Sequence, residues 1–149
     1  MSIINNNFEK QNITKIKKAK NNKKLTVITA YDALFAKLFE EIADMILVGD
    51  SLNMSFAGQN DTLSASLEQM IYHTKAVCKG APSSFVILDM PFGSYINKNQ
   101  ALENAIKVYR ETSAAAIKVE GGEDRADIIE HLTKNSIAVM GHIGLMPQY

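Results

Sequence analysis

Five times along this chain a short apolar run ends in a polar residue able to do chemistry. Val27-Ile28-Thr29-Ala30 leads to Asp32, Met45-Ile46-Leu47-Val48 to Asp50, and Phe85-Val86-Ile87-Leu88 to Asp89. Ala116-Ile117 leads to Lys118 and Glu120, and Ile137-Ala138-Val139-Met140 to His142. Continuous apolar runs bounded by turn signals read as strands buried on both faces, as parallel strands are. Helical patterns fill the gaps, so the chain reads as a repeated βα unit of an α/β fold. Ligands in such folds bind at the carboxyl ends of the strands, where these polar residues fall.

The four intervals between Asp32 and His142 average about 27 residues. Eight such units with an N-terminal segment would need roughly 245 residues, near the ~250 of a (βα)8 barrel. Five units also match a complete flavodoxin-like open sheet. Periodicity leaves both open.

Residues 1–24 form a polar N-terminal segment whose patch Ile13, Ile16, Lys17 and Ala19 predicts a short capping helix. Residues 25–149 carry the βα units, with strands expected near 25–31, 45–49, 84–89, 115–119 and 137–141. Asp32 is placed to cap a helix carrying Leu34, Phe35, Leu38, Phe39 and Ile42 on one face. A loop without helical period runs from Ser51 to Leu63, long enough to suggest a functional role. Ser66 and Gln69 form a capping box for a helix burying Leu67, Met70, Ile71, Thr74, Val77 and Cys78, stopped by Gly80 and Pro82. A helix from about 98 to 112 has Asn97 as its cap. Another buries Ile128, Ile129 and Leu132 and ends near Asn135.

Composition excludes several functions. Lys+Arg and Asp+Glu both number 16, so no global field attracts nucleic acid or anionic lipid. The one basic cluster, Lys15 to Lys24, has no aromatic residue to stack a base and reads as a solvated face. The single cysteine, Cys78, permits no internal disulfide and fits a reducing compartment. The Asn-rich start lacks an apolar core, and no stretch approaches the ~18 apolar residues of a membrane span. The expectation is a cytoplasmic protein with no membrane and no nucleic-acid partner.

The strand-end residues suggest a site. Asp50, in Val48-Gly49-Asp50-Ser51, reads equally well as a turn residue. Asp89 stands before Pro91, which ends its strand, and a nearly buried carboxylate needs a partner. Alternation points Lys118 and Glu120 to one side, as ligands or as a same-face ion pair. Gly121 and Gly122 would let the backbone approach a ligand. His142 lies between two glycines at the fifth strand end. Asp50, Asp89 and Glu120 offer hard oxygen donors, which suit Mg²⁺ rather than zinc. Asp32 reads mainly as a cap, His73 and His131 as surface residues, and Cys78 as buried and inert. Glycine-rich phosphate loops are absent.

Six stretches resemble the ketopantoate hydroxymethyltransferase (3-methyl-2-oxobutanoate hydroxymethyltransferase) family over about residues 13–149. They are Thr29-Ala30-Tyr31-Asp32, Val48-Gly49-Asp50-Ser51, Tyr72-His73-Thr74, Asp89-Met90-Pro91-Phe92, Lys118-Val119-Glu120-Gly121-Gly122 and Gly141-His142-Ile143-Gly144-Leu145-Met146-Pro147-Gln148. The resemblance implies a (βα)8 TIM barrel of which this chain covers about the first five strands, an incomplete barrel with exposed strand edges. It implies a homodecamer in pantothenate biosynthesis. The family moves a hydroxymethyl group from 5,10-methylenetetrahydrofolate to the keto acid 3-methyl-2-oxobutanoate, giving 2-dehydropantoate, with Mg²⁺ stabilising an enolate. Matched by motif, Asp50 and Asp89 would ligate Mg²⁺ and Glu120 would complete or support its shell. Asp50, Ser51, Asp89 and Lys118 would hold the keto acid, with Lys118 offsetting negative charge. His142 would be auxiliary, positioning substrate or a proton. The family's general base is a glutamate at a later strand end, and no residue here matches it. Ser113 and Met146 stand where the family has glycine and threonine. Two other readings remain: a Mg²⁺-dependent keto-acid lyase or mutase of the phosphoenolpyruvate mutase type, and a non-enzymatic flavodoxin-like binding module.

Overall fold

The computed structural model describes residues 10–148, so residues 1–9 of the polar segment and Tyr149 lie outside the described residues. The elements are α1 (Ile13–Lys18), β1 (Val27–Thr29), α2 (Ala33–Phe39), β2 (Met45–Val48), α3 (Leu52–Ser55), α4 (Leu67–Gly80), β3 (Phe85–Asp89), α5 (Lys98–Glu111), β4 (Ala116–Glu120), a 3₁₀ turn (Glu123–Arg125), α6 (Ala126–Lys134) and β5 (Val139–His142). The expected caps form. Asp32 accepts from the amides of Leu34 and Phe35, at 2.8 and 2.9 Å. Ser66 and Gln69 close both bonds of their capping box, and Asn97 accepts from the amide of Gln100.

The five strands are all parallel and lie in sequence order, β1-β2-β3-β4-β5. Crossovers between parallel strands are right-handed, so an order that never reverses puts every connecting helix on the same face. The core shows that arrangement. Ile46, Val48, Val86, Leu88, Ile117 and Val119 pack with Ala36, Met70, Val77, Ala105, Val108 and Leu132 of the helices. Residues of the opposite strand face, Met45, Phe85, Ile87 and Ala116, form a separate cluster packed, among the described residues, against Ile16, Leu25 and neighbouring strand residues. A flavodoxin-like sheet reverses its strand order and carries helices on both faces. That reading is overturned; this is one arc of a barrel wall.

Burial follows from the arc. Every residue of β3 and β4 is buried, as expected for central parallel strands. Both strands at the open edges, β1 and β5, are only partly covered, so the two-face burial expected of them does not hold. The long loop after β2 is not wholly irregular either. It contains α3, and the buried Asn53 side chain ties it down by donating to the Asp61 carbonyl at 2.8 Å and to Ser64 Oγ at 2.9 Å.

Three expectations need correction. The apolar face assigned to α2 points largely outward: Leu34 and Ile42 are each 69% exposed, and Phe35 and Leu38 are exposed with them. The buried residue of α2 is Ala36. The helix meets α4 through its small side chains, so closely that a Cβ on Gly80 would lie 2.2 Å from the Ala33 carbonyl oxygen. His73, expected at the surface, is buried. It sits three residues after Met70, on the core face of α4, and its Nδ1 donates to the Tyr31 carbonyl at 2.7 Å. Cys78 is half-buried rather than buried, and burial pushes its thiol up, which keeps it a poor nucleophile.

The α2–α4 contact gives a direct test. Gly80→Ala must push two backbones apart and should destabilise the chain by about 1–3 kcal/mol, as overpacking of a close contact does. Chemical denaturation measures this; an unchanged midpoint would show that the contact is looser than described.

Candidate functional site

Strand alternation and register assemble the site. On β3, β4 and β5 the residues facing away from the helices begin apolar (Phe85, Ile87, Ala116, Met140) and end polar (Asp89, Lys118, Glu120, His142). In register, Asp89 lies beside Lys118 and Glu120 beside His142. Asp50, on the turn after β2, joins them: its backbone amide donates to Asp89 Oδ2 at 3.3 Å. A polar cluster therefore stands on an apolar floor at the carboxyl ends of the strands.

Lys118 organises the cluster. Its Nζ donates to both carboxylate oxygens of Asp89 and to Glu120 Oε1, each at 2.8 Å. Glu120 Oε1 also accepts from His142 Nδ1 at 3.2 Å. Lys118 and Glu120 form the same-face ion pair, and the pair belongs to a larger acidic group. One donor oxygen from each of Asp50, Asp89 and Glu120 lies within 4.8 Å of the others, and all three residues are buried.

Two of the three buried carboxyl groups, Asp89 and Glu120, bond the one ammonium, and Asp50 lies against Asp89. Asp89 shows the result: its carboxyl is pushed up to about 7, chiefly by burial, with Lys118 pulling it down and the Asp50 carboxyl pushing it up again. For Lys118, burial works to release its proton, but Asp89 and Glu120 outweigh it and hold the ammonium above the ordinary lysine range. Glu120 Oε2 is buried and has no hydrogen-bond partner among the described residues. An orphaned buried carboxylate oxygen is costly. The donor set is all oxygen, which suits a hard divalent cation that keeps part of its water shell. On donor chemistry and on the orphaned atom, the residues fit a metal ion.

Other residues line this cluster, Ser51 as expected and Tyr31, Tyr95 and Gln148 without having been assigned to it. Ser51 Oγ lies 3.0 Å from the Tyr31 hydroxyl, which orients it beside Asp50. Gln148 is buried; its Nε2 donates to Asp50 Oδ2 at 2.8 Å and to the Met90 carbonyl at 3.1 Å. Its Oε1 accepts from the Tyr95 hydroxyl at 2.6 Å. Tyr31 directly follows the first apolar run, whereas Tyr95 and Gln148 sit at the end of none, so no strand-end pattern marks those two. Gly121 is required by the turn itself. It adopts φ +114°, and a Cβ there would lie 2.5 Å from Arg125 Cγ.

The raised Asp89 carboxyl carries a pH dependence. The folded state holds this proton more tightly than an unfolded aspartate with its usual value of 3.8. The group therefore favours folding below about pH 4, and that contribution is lost as pH rises through about 7. Denaturation of the metal-free chain from about pH 4 to about pH 7.5 should show a falling stability component that Asp89→Asn flattens. An identical slope in the variant would place the titration elsewhere.

Comparison with known proteins bears on what this cluster is. The family model described as ketopantoate hydroxymethyltransferase matches residues 10–149. A 3-methyl-2-oxobutanoate hydroxymethyltransferase of Aliarcobacter butzleri is 80% identical over 149 residues, covering 100% of this chain and 55% of that protein. Its counterpart in a Nitratiruptor species is 65% identical over 141 residues, covering 95% of this chain and 54% of that protein. The chain thus spans about half the length of the curated relatives it matches. Among solved structures, an oxaloacetate acetylhydrolase superposes with TM-score 0.63 at 16% identity, over 89% of this chain and 53% of that one. A 2,3-dimethylmalate lyase of the PEP mutase/isocitrate lyase superfamily superposes with TM-score 0.61 at 19% identity, over 86% and 52%. At such identities the likeness is one of fold, and it agrees with a partial barrel. Match to the family model over nearly all of its length makes this chain a member of the ketopantoate hydroxymethyltransferase family.

Proposed function

We propose that this chain forms the metal and keto-acid half of a hydroxymethyltransferase site that converts 3-methyl-2-oxobutanoate to 2-dehydropantoate. The observation that carries the reading is the convergence of Asp50, Asp89 and Glu120, the last two bound by Lys118, at the strand ends of a family member. Asp50 and Asp89 would hold Mg²⁺, with Glu120 completing or supporting the shell. A bound Mg²⁺ supplies Lewis acidity toward a keto oxygen and so lowers the cost of an enolate at the adjacent carbon.

The side chains supply binding and charge. Lys118 offsets the negative charge of the carboxylates and of an incoming keto acid. Ser51, oriented by Tyr31, offers a hydroxyl to the substrate carboxylate. His142 keeps Nδ1 on Glu120, whose Oε1 already accepts from Lys118, so Nδ1 carries the proton and Nε2 is left to meet a ligand. The buried apolar floor keeps water from beneath the site, which strengthens each of these electrostatic contacts.

The one-carbon donor in this reading is 5,10-methylenetetrahydrofolate, the assembly a homodecamer and the compartment the cytoplasm, all on the strength of the family resemblance. No residue is assigned to the folate. No helix among the described residues is long and apolar enough to cross a membrane. The lyase reading has only fold likeness behind it, whereas relatives of 80% and 65% identity are named hydroxymethyltransferases.

Electron paramagnetic resonance of Mn²⁺ titrated into the chain tests the metal reading, with Mg²⁺ as competitor. Asp50→Asn and Asp89→Asn should each weaken binding about tenfold or more, since ligand charge sets the affinity of a hard-cation site. No binding by the native chain would sink the reading. A second assay follows 2-dehydropantoate by mass spectrometry, using the 149-residue chain, keto acid and methylenetetrahydrofolate. Little or no turnover is expected, because the general-base glutamate has no counterpart among these residues. Substantial turnover would refute that half-site description.

A further inference from the structure

Asp50 differs from the other two carboxylates in what holds it. Asp89 and Glu120 sit on strands and are gripped by Lys118. Asp50 lies on a turn, and the side chain found to donate to it among the described residues is Gln148. That contact crosses the whole site. The segment after β5 returns over the strand ends and places an amide against a carboxylate 98 residues earlier in the chain.

The amide is fixed at three points. Both partners of its nitrogen, Asp50 Oδ2 and the Met90 carbonyl, can only accept from it, while its oxygen accepts from the Tyr95 hydroxyl. Turning the amide over would set its oxygen against two acceptors and its nitrogen against the hydroxyl. The two acceptors therefore decide that the nitrogen meets Asp50, and the Tyr95 hydroxyl holds the far end of the amide in place. With Oδ2 held, the Asp50 carboxylate keeps one orientation, and Oδ1 is the oxygen left for another partner.

From this geometry we infer that Gln148, steadied by Tyr95, is a positioning residue that preorganises Asp50 to receive the divalent cation. The inference rests on the metal reading given above. Outer groups that orient a ligand raise metal affinity because the ordering of the ligand is already complete before the ion arrives. Gln148 also makes cation binding depend on the return of the post-β5 segment across the site.

Two variants and their combination test this in the full 149-residue chain, with Mn²⁺ as the probe. Gln148→Leu keeps much of the volume and removes the donor, and should weaken Mn²⁺ binding roughly 10- to 100-fold. Tyr95→Phe keeps the ring and removes the bond that steadies the far end of the amide, and should give a smaller loss. Because Tyr95 acts through Gln148, the double variant should bind no more weakly than Gln148→Leu alone. Melting of the metal-free variants reads folding separately. Native Mn²⁺ affinity in Gln148→Leu, whatever its melting temperature, would overturn the inference, as would losses that simply add. Should Gln148→Leu fail to fold, Tyr95→Phe decides: weakened binding supports the inference and unchanged binding overturns it. If the native chain binds no Mn²⁺ at all, the metal reading itself falls and this inference with it.

Discussion

Lys118 donates to three carboxylate oxygens, each at 2.8 Å, from a position that is itself nearly out of water. Burying one carboxylate without a partner costs several kcal/mol, and this rim buries three. A single ammonium makes the arrangement tolerable without neutralising it. The remaining deficit shows in the raised Asp89 carboxyl and in the unpartnered oxygen of Glu120. The cluster therefore favours a further positive charge, either a proton on Asp89 or a cation among the three oxygens. Stability and cation affinity draw on the same electrostatic imbalance.

The fold delivers that imbalance by simple means. Side chains alternate along a strand, and parallel neighbours in register repeat the alternation across the sheet. Residues facing away from the helices are apolar for most of each strand and turn polar at the last one or two positions. Because β1 to β5 run in sequence order, all the polar ends gather at one rim, and the helices seal only the opposite face. An open arc of this kind leaves its β1 and β5 edges only partly covered, together with the outward side chains of α2. Those surfaces agree with a chain that spans about half of its relatives' length.

Much of this could be read from the residues alone. Five apolar runs marked the strands, Asp32, Ser66 and Asn97 marked helix starts, and Asp50, Asp89, Lys118, Glu120 and His142 stood out as strand-end groups. The misreadings have common causes. His73 is polar but lies on the core face of α4, and its backbone partner is 42 residues away. The large side chains of α2 look like a core face, yet a close approach of Ala33 to Gly80 turns them outward. Gln148 closes a family-matching stretch but follows a proline outside any strand or helix pattern, so nothing local assigns it to Asp50.

Local information, then, settled where elements begin, which residues alternate to one side, and which donor types the rim would offer. It could do so because strand period and helix capping act over a few residues. Whether those elements form an open sheet or an arc of barrel was decided by strand order, a relation between segments about 27 residues apart. Tertiary structure alone also decided that Gln148 reaches Asp50, and that α2 presents alanine rather than leucine to its neighbour. Such contacts depend on where the backbone returns in space, and nothing in a short stretch of residues encodes that return.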